Sequence, residues 1–439
     1  MKLLTFKGGI HPPYGKEYAN KKPIEKAAAP AKVYIPLQQH IVAVGDEVKL
    51  GQKIGEAQGF VSSNIHSSVS GVVKAIQLCG VPNGTAMCVV IENDFKEEPH
   101  ESVKPHGDIA DLSKEEIVGI VKEAGIVGMG GATFPNHVKI SPPPDSKAEY
   151  VILNGAECEP YLTADDRLMV ENPEDVVYGL RALMKALDVN KGFIGIEVNK
   201  PEAIANVTKA AEPYPEIDVV SLQVKYPEGA EKQLIYACTG REVPSGALPI
   251  AVGAVVDNVA TAAAIANAIK TGMPLVERIT TVTGPCIKEP KNLVTKIGTK
   301  FSEIIEQCGG LKEDVVARKL IAGGPMMGFA QFTDDISTNK GSSGILILDE
   351  DIAVAPEPMN CIKCGRCTDV CPAFLQPLIS AYSLKNDFDA AEQHRAMDCI
   401  ECGSCSFICP SRRLLLPSIR QAKREIGAKR RKAAAAQKK

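Results

Sequence analysis

Two runs of cysteines near the C-terminus restrict the fold and chemistry of this chain more than any other feature of its sequence. Each run has the form Cys-x2-Cys-x2-Cys-x3-Cys-Pro, and the runs consist of Cys361, Cys364, Cys367 and Cys371, and of Cys399, Cys402, Cys405 and Cys409. With this spacing three thiolates of one run hold one [4Fe–4S] cluster, and the fourth cysteine binds the other cluster. We therefore predict cluster 1 on Cys361, Cys364, Cys367 and Cys409, and cluster 2 on Cys399, Cys402, Cys405 and Cys371.

Zinc is the alternative metal for these cysteines, because Cys-x2-Cys pairs also form structural zinc sites. A third cysteine and a trailing Cys-Pro in both runs are not zinc spacing, so the pattern favours clusters. Between the runs, helices are predicted at Leu378–Leu384 and 389–397, as in the more helical two-cluster ferredoxins. Such clusters pass on single electrons and turn over no substrate, which predicts a function in electron transfer.

The remaining composition is that of a soluble protein. A chain of 439 residues is long enough for about three domains. The N-terminus lacks the apolar core of a signal peptide, and the other six cysteines are scattered, which favours a reducing cytoplasmic setting. The most apolar segment, 247–269, has Asp257 and Asn258 at its middle, so no membrane span is predicted. No nucleic-acid partner is predicted either.

The charge of the chain is unevenly distributed. From Ser411 onward there are eleven Lys or Arg residues and one Glu, although the whole chain has a formal net charge of −3. A basic tail on an acidic body predicts docking to an acidic partner or to anionic lipid. A solvated, disordered tail is the alternative.

The residues before about 110 are predicted to form short strands separated by glycine turns. This pattern resembles the barrel-sandwich hybrid of biotinyl and lipoyl domains. Those domains carry a modified lysine at a hairpin tip, whereas the corresponding segment here, Val61–Asn64, has none. The module is therefore predicted to be structural.

The middle of the chain predicts an α/β domain with a largely parallel sheet. Ser113 and Glu116 form a capping box that starts a helix. Strands beginning at Tyr150, Gly192 and Ile217 then alternate with helices at 173–187 and 201–211, which is the order of an open α/β layer. Residues 276–350 return to short strands around one helix at 300–308, in a β-grasp-like order.

Four polar segments of this region are candidates for ligand binding. The first is a glycine loop, 128–135, whose amides and the nearby Lys139 suit a phosphate; a tight structural turn is the alternative. The second, 154–160, follows a strand at the sheet edge where α/β domains bind ligands; an N-terminal helix cap is the alternative. The third and fourth are 226–232 and 257–261.

In this order the motifs resemble those of the flavin-carrying, NADH-binding subunit of respiratory complex I, followed by its β-grasp (SLBB-type) module. That family has Arg where this chain has Met129 and Gly where it has Thr133. The family's flavin-contacting Asp corresponds to Ala156, and the first Glu of its Tyr-x-x-Gly-Glu-Glu motif to Ala230. The whole order, from hybrid module to two-cluster ferredoxin, is similar to that of the RnfC family.

The resemblance implies a cofactor set and its binding residues. FMN is expected near Gly128, Gly130, Gly131, Lys139, Asn154, Asn258 and Thr261. NAD(H) is expected near Phe134, Glu157, Glu159 and Glu231, with Phe134 a stacking partner for adenine. Tyr226 and Gly229 are also expected to bind a cofactor. No side chain is expected to act as a general base, because the flavin exchanges hydride with the nicotinamide and single electrons with the clusters.

The resemblance also implies a place for the chain in the cell. It would be a peripheral subunit of a membrane complex that couples ferredoxin:NAD+ oxidoreduction to ion movement. Its partners would be integral-membrane and iron–sulfur subunits, ferredoxin indirectly, and NAD(H), at the cytoplasmic face of a bacterial or archaeal membrane. A cobalamin reductase of the type found with microcompartments and a relay subunit without nucleotide binding are the alternatives.

The expected fold is thus multidomain, α/β and α+β. The predicted modules are a barrel-sandwich hybrid (1–112), a Rossmann-like FMN/NAD-binding α/β domain (113–275), a β-grasp SLBB-like domain (276–350), a helical two-cluster ferredoxin domain (351–412) and a basic tail (413–439).

Overall fold

The computed structural model describes residues 3–130, 133–353 and 356–437. Its N-terminal module contains a four-stranded sheet, β2-β8-β7-β4, and a three-stranded sheet, β3-β5-β6, around one core. Alternate residues such as Val33, Ile35 and Val73 are fully buried, as expected for strands with one face in a core. The strands are β1 (Ile24–Lys26), β2 (Lys32–Pro36), β3 (Gln39–His40), β4 (Glu47–Val48), β5 (Lys53–Glu56), β6 (Ile65–His66), β7 (Gly71–Val81) and β8 (Gly84–Asn93).

The α/β domain has a parallel sheet in the order β11-β10-β9-β12. The strand order reverses between β9 and β12, and this reversal is the topological switch point at which open α/β sheets bind ligands. The elements are α1 (Lys114–Glu123), α2 (Asn136–Lys139), β9 (Tyr150–Gly155), α3 (Ala164–Glu171), α4 (Pro173–Leu187), β10 (Gly192–Glu197), α5 (Pro201–Ala211), β11 (Ile217–Leu222), α6 (Glu231–Thr239), β12 (Ala254–Asn258) and α7 (Val259–Thr271).

Local sequence signals in this domain are confirmed. The Ser113 hydroxyl accepts a hydrogen bond from the Glu116 amide, and the Glu116 carboxylate accepts one from the Ser113 amide, so the capping box is present. Helices α4 and α5 have the predicted bounds. Strand β12 was missed, because all five of its residues are buried and its apolar run continues into α7 without a break in hydrophobicity.

The β-grasp domain contains a mixed sheet in the order β1-β14-β13-β17-β15-β16. Helix α8 packs on it through Phe301 and Ile304, which share a core with Val282 and Ile345. The elements are β13 (Glu277–Thr283), β14 (Lys291–Lys296), α8 (Phe301–Gln307), β15 (Ala317–Ala322), β16 (Phe329–Gln331) and β17 (Gly344–Asp349).

The N-terminal segment of the chain contacts other modules. Strand β1 pairs with β14 of the β-grasp sheet, and Leu4 forms a bridge with Leu222 at the edge of the α/β sheet. The amide of Gly9 donates to the carbonyl of Val370 in the cysteine region. Residues 3–26 therefore contact the α/β domain, the β-grasp domain and the cysteine region.

The ferredoxin domain also extends further than predicted. Helix α14 begins inside the segment assigned to the basic tail, and Ile419, Ala422 and Ile426 pack into one core with Leu375 and Ile379. Helix α9 (Glu350–Ala353) still packs on β15 and β17 of the β-grasp sheet. The helices of the ferredoxin domain are α10 (Arg366–Asp369), α11 (Leu378–Leu384), α12 (Phe388–Gln393), α13 (Ser404–Ile408) and α14 (Leu415–Gln437). The sequence missed this packing because charge dominates the segment, whereas its apolar residues recur at helical spacing.

Among the helices in the described ranges, none is both long enough and apolar enough to cross a bilayer.

The packing of α14 can be tested by shortening one of its buried side chains. Ile426→Ala should lower the free energy of unfolding of the ferredoxin domain by about 2–4 kcal/mol, because it leaves a cavity in the core. Arg424→Ala, on the exposed side of the same helix, should change it by less than about 0.5 kcal/mol. Urea titration followed by cluster absorbance measures both. Equal stabilities for the two variants would contradict the packing.

Candidate cofactor and cluster sites

Two asparagines occupy the switch point of the α/β sheet. Asn154 at the end of β9 is paired in register with Asn258 at the end of β12. The side chain of Asn154 donates to the carbonyl of Gly229 at 2.8 Å. The Oδ1 of Asn258 accepts from the amide of Ala260 at 2.9 Å and so caps α7. Both amides are therefore held at the edge where a ligand is expected.

The glycine loop lies against Asn258. A Cβ atom on Gly130 would approach Nδ2 of Asn258 to 2.8 Å, so a larger residue there would displace the loop. The amide of Met129 donates to the Thr261 hydroxyl at 2.9 Å, and the amide of Gly128 to the carbonyl of Phe134. The loop thus brings backbone close to the switch point, as a flavin or phosphate site requires. Gly131, also predicted to bind FMN, lies outside the described residues.

Lys139 lies beside strand β12. Its ammonium group donates to the carbonyl of Val256 at 2.7 Å and lies 3.4 Å from the Glu231 carboxylate at the start of α6. The ring of Phe134, at the far end of the glycine loop, is 39% exposed and is free to stack on a ligand. The structure therefore brings Lys139 and Glu231 together beside β12.

The two glutamates of the segment after β9 are engaged within the protein. The Glu157 carboxylate accepts from the amides of Asp165 and Asp166 at 2.8 and 3.3 Å. It therefore caps α3, which is the structural alternative considered from the sequence. The Glu159 carboxylate accepts from the amides of Met326 and Met327 in the β-grasp domain at 3.1 and 2.8 Å, and burial raises the pKa of Glu159 to about 7.

A buried lysine from the N-terminal segment holds this turn. The Lys16 ammonium group donates to the carbonyls of Glu157 and Glu159 at 2.8 and 2.9 Å and to that of Leu162. Lys16 is almost completely buried, so these acceptors replace its hydration. Sequence reasoning missed Lys16, because about 140 residues separate it from the turn and no local motif surrounds it.

Tyr226 links the polar segment 226–232 to the cysteine region. Its buried hydroxyl donates to the carbonyl of Cys402 at 2.8 Å, and burial raises the pKa of Tyr226. The amide of Gly229 contacts the Cys158 thiol at 3.4 Å. An apolar group that includes Ile10, Tyr226 and Cys402 fills the space between the two sites.

The cysteines of the two runs lie close together. Cys367 and Cys371 of the first run line one apolar cavity with Cys399, Cys402 and Cys405. Of these two first-run thiols, Cys371 is the one close enough to add to the rise that burial causes in the pKa of Cys399, Cys402 and Cys405. Burial raises the pKa of Cys367, and the thiols of Cys409 and Cys364 are close enough to raise it further. Cys361 and Cys364 are exposed. The site predicted for cluster 1 therefore lies nearer the surface than that of cluster 2.

The donor set fits iron–sulfur clusters. Burial raises the pKa of Cys399 to about 11 and that of Cys405 to about 12, so a cation is needed to hold these groups as thiolates. Within the described ranges no three His, Cys, Asp or Glu side chains converge on a single metal ion. Five thiols line the cavity, one more than the four ligands of a zinc site, so the donor set suits a multinuclear cluster better than zinc.

Comparison with known families covers most of the chain. Four family models match: the RnfC barrel sandwich hybrid domain over residues 4–96, the Nuo51 FMN-binding domain over 121–267, the SLBB domain over 279–330 and a 4Fe-4S dicluster domain over 354–410. Their order is the one predicted from the motifs. They support the predicted fold and a cofactor set of two [4Fe–4S] clusters, FMN and NAD(H).

Curated relatives match over nearly the full length. The chain is 52% identical over 437 residues to the C subunit of the Na+-translocating ferredoxin:NAD+ oxidoreductase complex of Acetobacterium woodii, covering 98% of each chain. It is 50% identical to the C subunit of the proton-translocating complex of Clostridium ljungdahlii, covering 89% of this chain and 87% of the relative. The C subunit of an ion-translocating oxidoreductase complex from Rhodobacter capsulatus is 41% identical, with 86% and 74% covered.

The crossed ligation can be tested by comparing pairs of variants. Cys371→Ala should remove the same cluster as Cys402→Ala, and Cys409→Ala the same cluster as Cys364→Ala, because each pair shares one predicted site. Each variant should retain about four of eight iron atoms, and the EPR spectra of the reduced proteins should agree within pairs and differ between them. Cys238→Ala is the control and should keep all the iron. A Cys371→Ala spectrum matching that of Cys364→Ala would overturn the crossing.

Proposed function

This chain belongs to the RnfC family, whose members are the C subunits of ion-translocating ferredoxin:NAD+ oxidoreductase complexes, and we propose that it passes electrons from cluster 1 to cluster 2, then to FMN and NAD+. The observation that carries this order is the hydrogen bond between Tyr226 and the carbonyl of Cys402. This hydrogen bond joins the loop of the predicted cluster 2 ligands to segment 226–232 of the flavin domain, beside the switch point. Cluster 1, with two exposed cysteines, is the centre that a redox partner reaches.

The FMN site we propose consists of Gly128, Gly130, Gly131, Lys139, Asn154, Asn258 and Thr261. When bound there, FMN supplies the exchange between two-electron hydride transfer and single-electron transfer. Three features of the chain support this assignment: the close approach of the loop to Asn258, the fixed amides of the two asparagines, and the cation at Lys139. The role of these residues is to bind and orient the cofactor rather than to transfer protons.

The NAD(H) site we propose adjoins it, at Phe134, Glu157, Glu159, Tyr226, Gly229 and Glu231. Phe134 offers an exposed ring for stacking on adenine, and Glu231 offers a partly exposed carboxylate for ribose hydroxyls. Because the carboxylates of Glu157 and Glu159 already accept amide hydrogen bonds, these residues act by shaping the turn that adjoins the ligand.

The sequence also allowed two other functions for this chain. A cobalamin reductase shares the flavin, β-grasp and ferredoxin parts, but the hybrid module and the full-length relatives favour the RnfC assignment. A relay subunit without nucleotide binding is the alternative that the replacements at Ala156 and Ala230 would allow. Anaerobic addition of NADH tests the relay alternative, because a subunit that does not bind the nucleotide would keep its flavin absorbance.

The membrane association of such a protein requires partners or lipid. The chain belongs to a membrane-associated complex, and we place it on the cytoplasmic face, in contact with the integral-membrane and iron–sulfur subunits. The end of α14 carries a cluster of Lys and Arg, of which Lys429 and Arg430 pair with Asp389 and Glu392 of α12. Arg431 and Lys432, in the following positions, are exposed and available to an anionic surface.

The flavin site can be tested at the glycine loop. Gly130→Val should weaken FMN binding more than about 100-fold, because its side chain enters the space held by Asn258, and a steric overlap of this kind costs several kcal/mol. Gly119→Val, at a position of helix α1 where an added Cβ atom meets nothing within 4 Å, is the control for a glycine change elsewhere in the domain. Titration of the reconstituted chain, followed by flavin fluorescence, measures both. The iron content should be unchanged, and lack of saturable FMN binding by the wild type would refute the assignment.

The basic end of α14 can be tested by truncation after Gly427. This change removes six Lys or Arg residues but keeps Ile426 and the packed part of the helix. Each cation near an anionic surface contributes about 1 kcal/mol, and salt screens it over about 8–10 Å. The truncated chain should therefore sediment less with membranes at low salt, and the difference should vanish at high salt. Equal sedimentation at both salt concentrations would mean that the segment is only a solvated end.

A further inference from the structure

An arginine of the β-grasp domain reaches the glycine loop of the flavin domain. Arg278 lies on β13 and is only 6% exposed. Its Nη2 donates to the carbonyl of Met129 at 2.6 Å and its Nη1 to the carbonyl of Lys340 at 2.8 Å. The Nε atom has no hydrogen-bond partner among the described residues. A buried guanidinium group with an unused donor is costly unless a ligand completes its hydrogen bonding.

The glycine loop has no cation of its own at this point. Met129, whose side chain is buried, stands where the complex I family has an arginine. Arg278 therefore supplies a positive charge to the loop from another domain. The contact joins the β-grasp module directly to the backbone that lies over Asn258.

A carboxylate of the flavin domain, that of Asp165, contacts Asn258, the residue on which the glycine loop lies. Oδ2 of Asp165 accepts from Nδ2 of Asn258 at 2.7 Å, and the amide of Asp165 donates to Glu157. Burial raises the pKa of Asp165 to about 6, and Arg278 partly offsets that rise. Burial likewise lowers the pKa of Arg278 to about 10. Among the described residues no ion pair within 4 Å joins Arg278 and Asp165, so the two charges interact only at longer range.

We propose that Arg278 and Asp165 are further flavin-site residues, which contact the polar edge of the isoalloxazine ring. The inference rests on the proposed FMN site and adds to it the residues that set the reduction potential. The ring's pyrimidine edge presents carbonyl acceptors and one N–H donor, which complement a guanidinium group and a carboxylate. A cation at this edge stabilises the negative charge that the ring gains on reduction.

The phosphate of FMN is the less suitable partner for Arg278. The carboxylate of Asp165 lies close enough to Arg278 to interact with its charge, and it would repel a doubly charged group. Lys139, in contrast, contacts the carbonyl of Val256, on β12, and suits the phosphate. The two cations are thus assigned to different ends of the cofactor.

Substitutions of Arg278 in the full-length chain, with both clusters present, test this proposal. Arg278→Gln removes the charge at similar size, and Arg278→Lys keeps the charge but loses the two-pronged contact with the loop. Arg318→Gln is the matched control, because Arg318 lies in the same domain on the exposed surface. Dissociation constants for FMN and for riboflavin are measured by flavin fluorescence, and the midpoint potential by redox titration at saturating FMN.

The expected result is a joint change in affinity and potential. Arg278→Gln should weaken FMN and riboflavin alike by about 10- to 100-fold, the effect of losing one charged hydrogen bond, and should lower the flavin midpoint potential. Arg278→Lys should restore most of the potential but less of the affinity, and Arg318→Gln should match the wild type in both.

Other results would overturn the proposal in distinguishable ways. Weaker binding of FMN with unchanged riboflavin binding would assign Arg278 to the phosphate. Equal losses for both variants with an unchanged potential would make Arg278 only a clamp on the loop. Unchanged affinity and potential in Arg278→Gln would remove Arg278 from the site. If the wild type binds neither flavin, the FMN site fails and this proposal fails with it.

Discussion

The pairing of β9 with β12 is the interaction on which the rest of the structure depends. It places Asn154 beside Asn258 at the point where the strand order reverses. The glycine loop is seated on Asn258, the motif after β11 is held by Asn154, and α7 is capped by Asn258. Because parallel strands bring their carboxyl ends to one edge, these segments meet although more than one hundred residues separate the first from the last.

Buried polar groups then connect the other modules to this edge. Lys16 of the N-terminal segment binds three carbonyls of the turn after β9. Lys340 of the β-grasp domain donates to the carbonyls of Asn64 and Gly125, and so joins three modules at one atom. Each ammonium group would be strongly destabilising if its acceptors moved away. These contacts therefore favour one relative arrangement of the modules over others that would bury similar apolar area.

The same arrangement gives each module a part in electron transfer. The cluster 2 loop is joined to the flavin domain by Tyr226, and the N-terminal segment packs against both through Ile10. The exposed cysteines of cluster 1 face outward, where a partner's redox centre has access. The β-grasp domain contributes Arg278 to the glycine loop and two amides to Glu159. It thus supports the cofactor edge of its neighbour instead of carrying a separate site.

The sequence by itself determined the features that depend on neighbouring residues. Cysteine spacing, the capping box at Ser113 and the bounds of α4 and α5 are local, because a few residues and the periodicity of the backbone decide them. The order of the motifs also identified the modules, because each motif lies within one continuous stretch of the sequence. The crossed use of Cys371 and Cys409 was predicted from a rule about this spacing, and the structure adds the proximity of each to the opposite run.

Only the tertiary structure decided which distant groups share a site. Strand β12 was hidden in a continuous apolar run, because burial on both faces removes the alternation that identifies a strand. Helix α14 was hidden by its charge, although its apolar residues complete the ferredoxin core. Lys16 and Arg278 have no local signature at all. Their roles arise from carbonyls and carboxylates that the fold brings from more than one hundred residues away, and a sequence pattern cannot specify such contacts before the chain has folded.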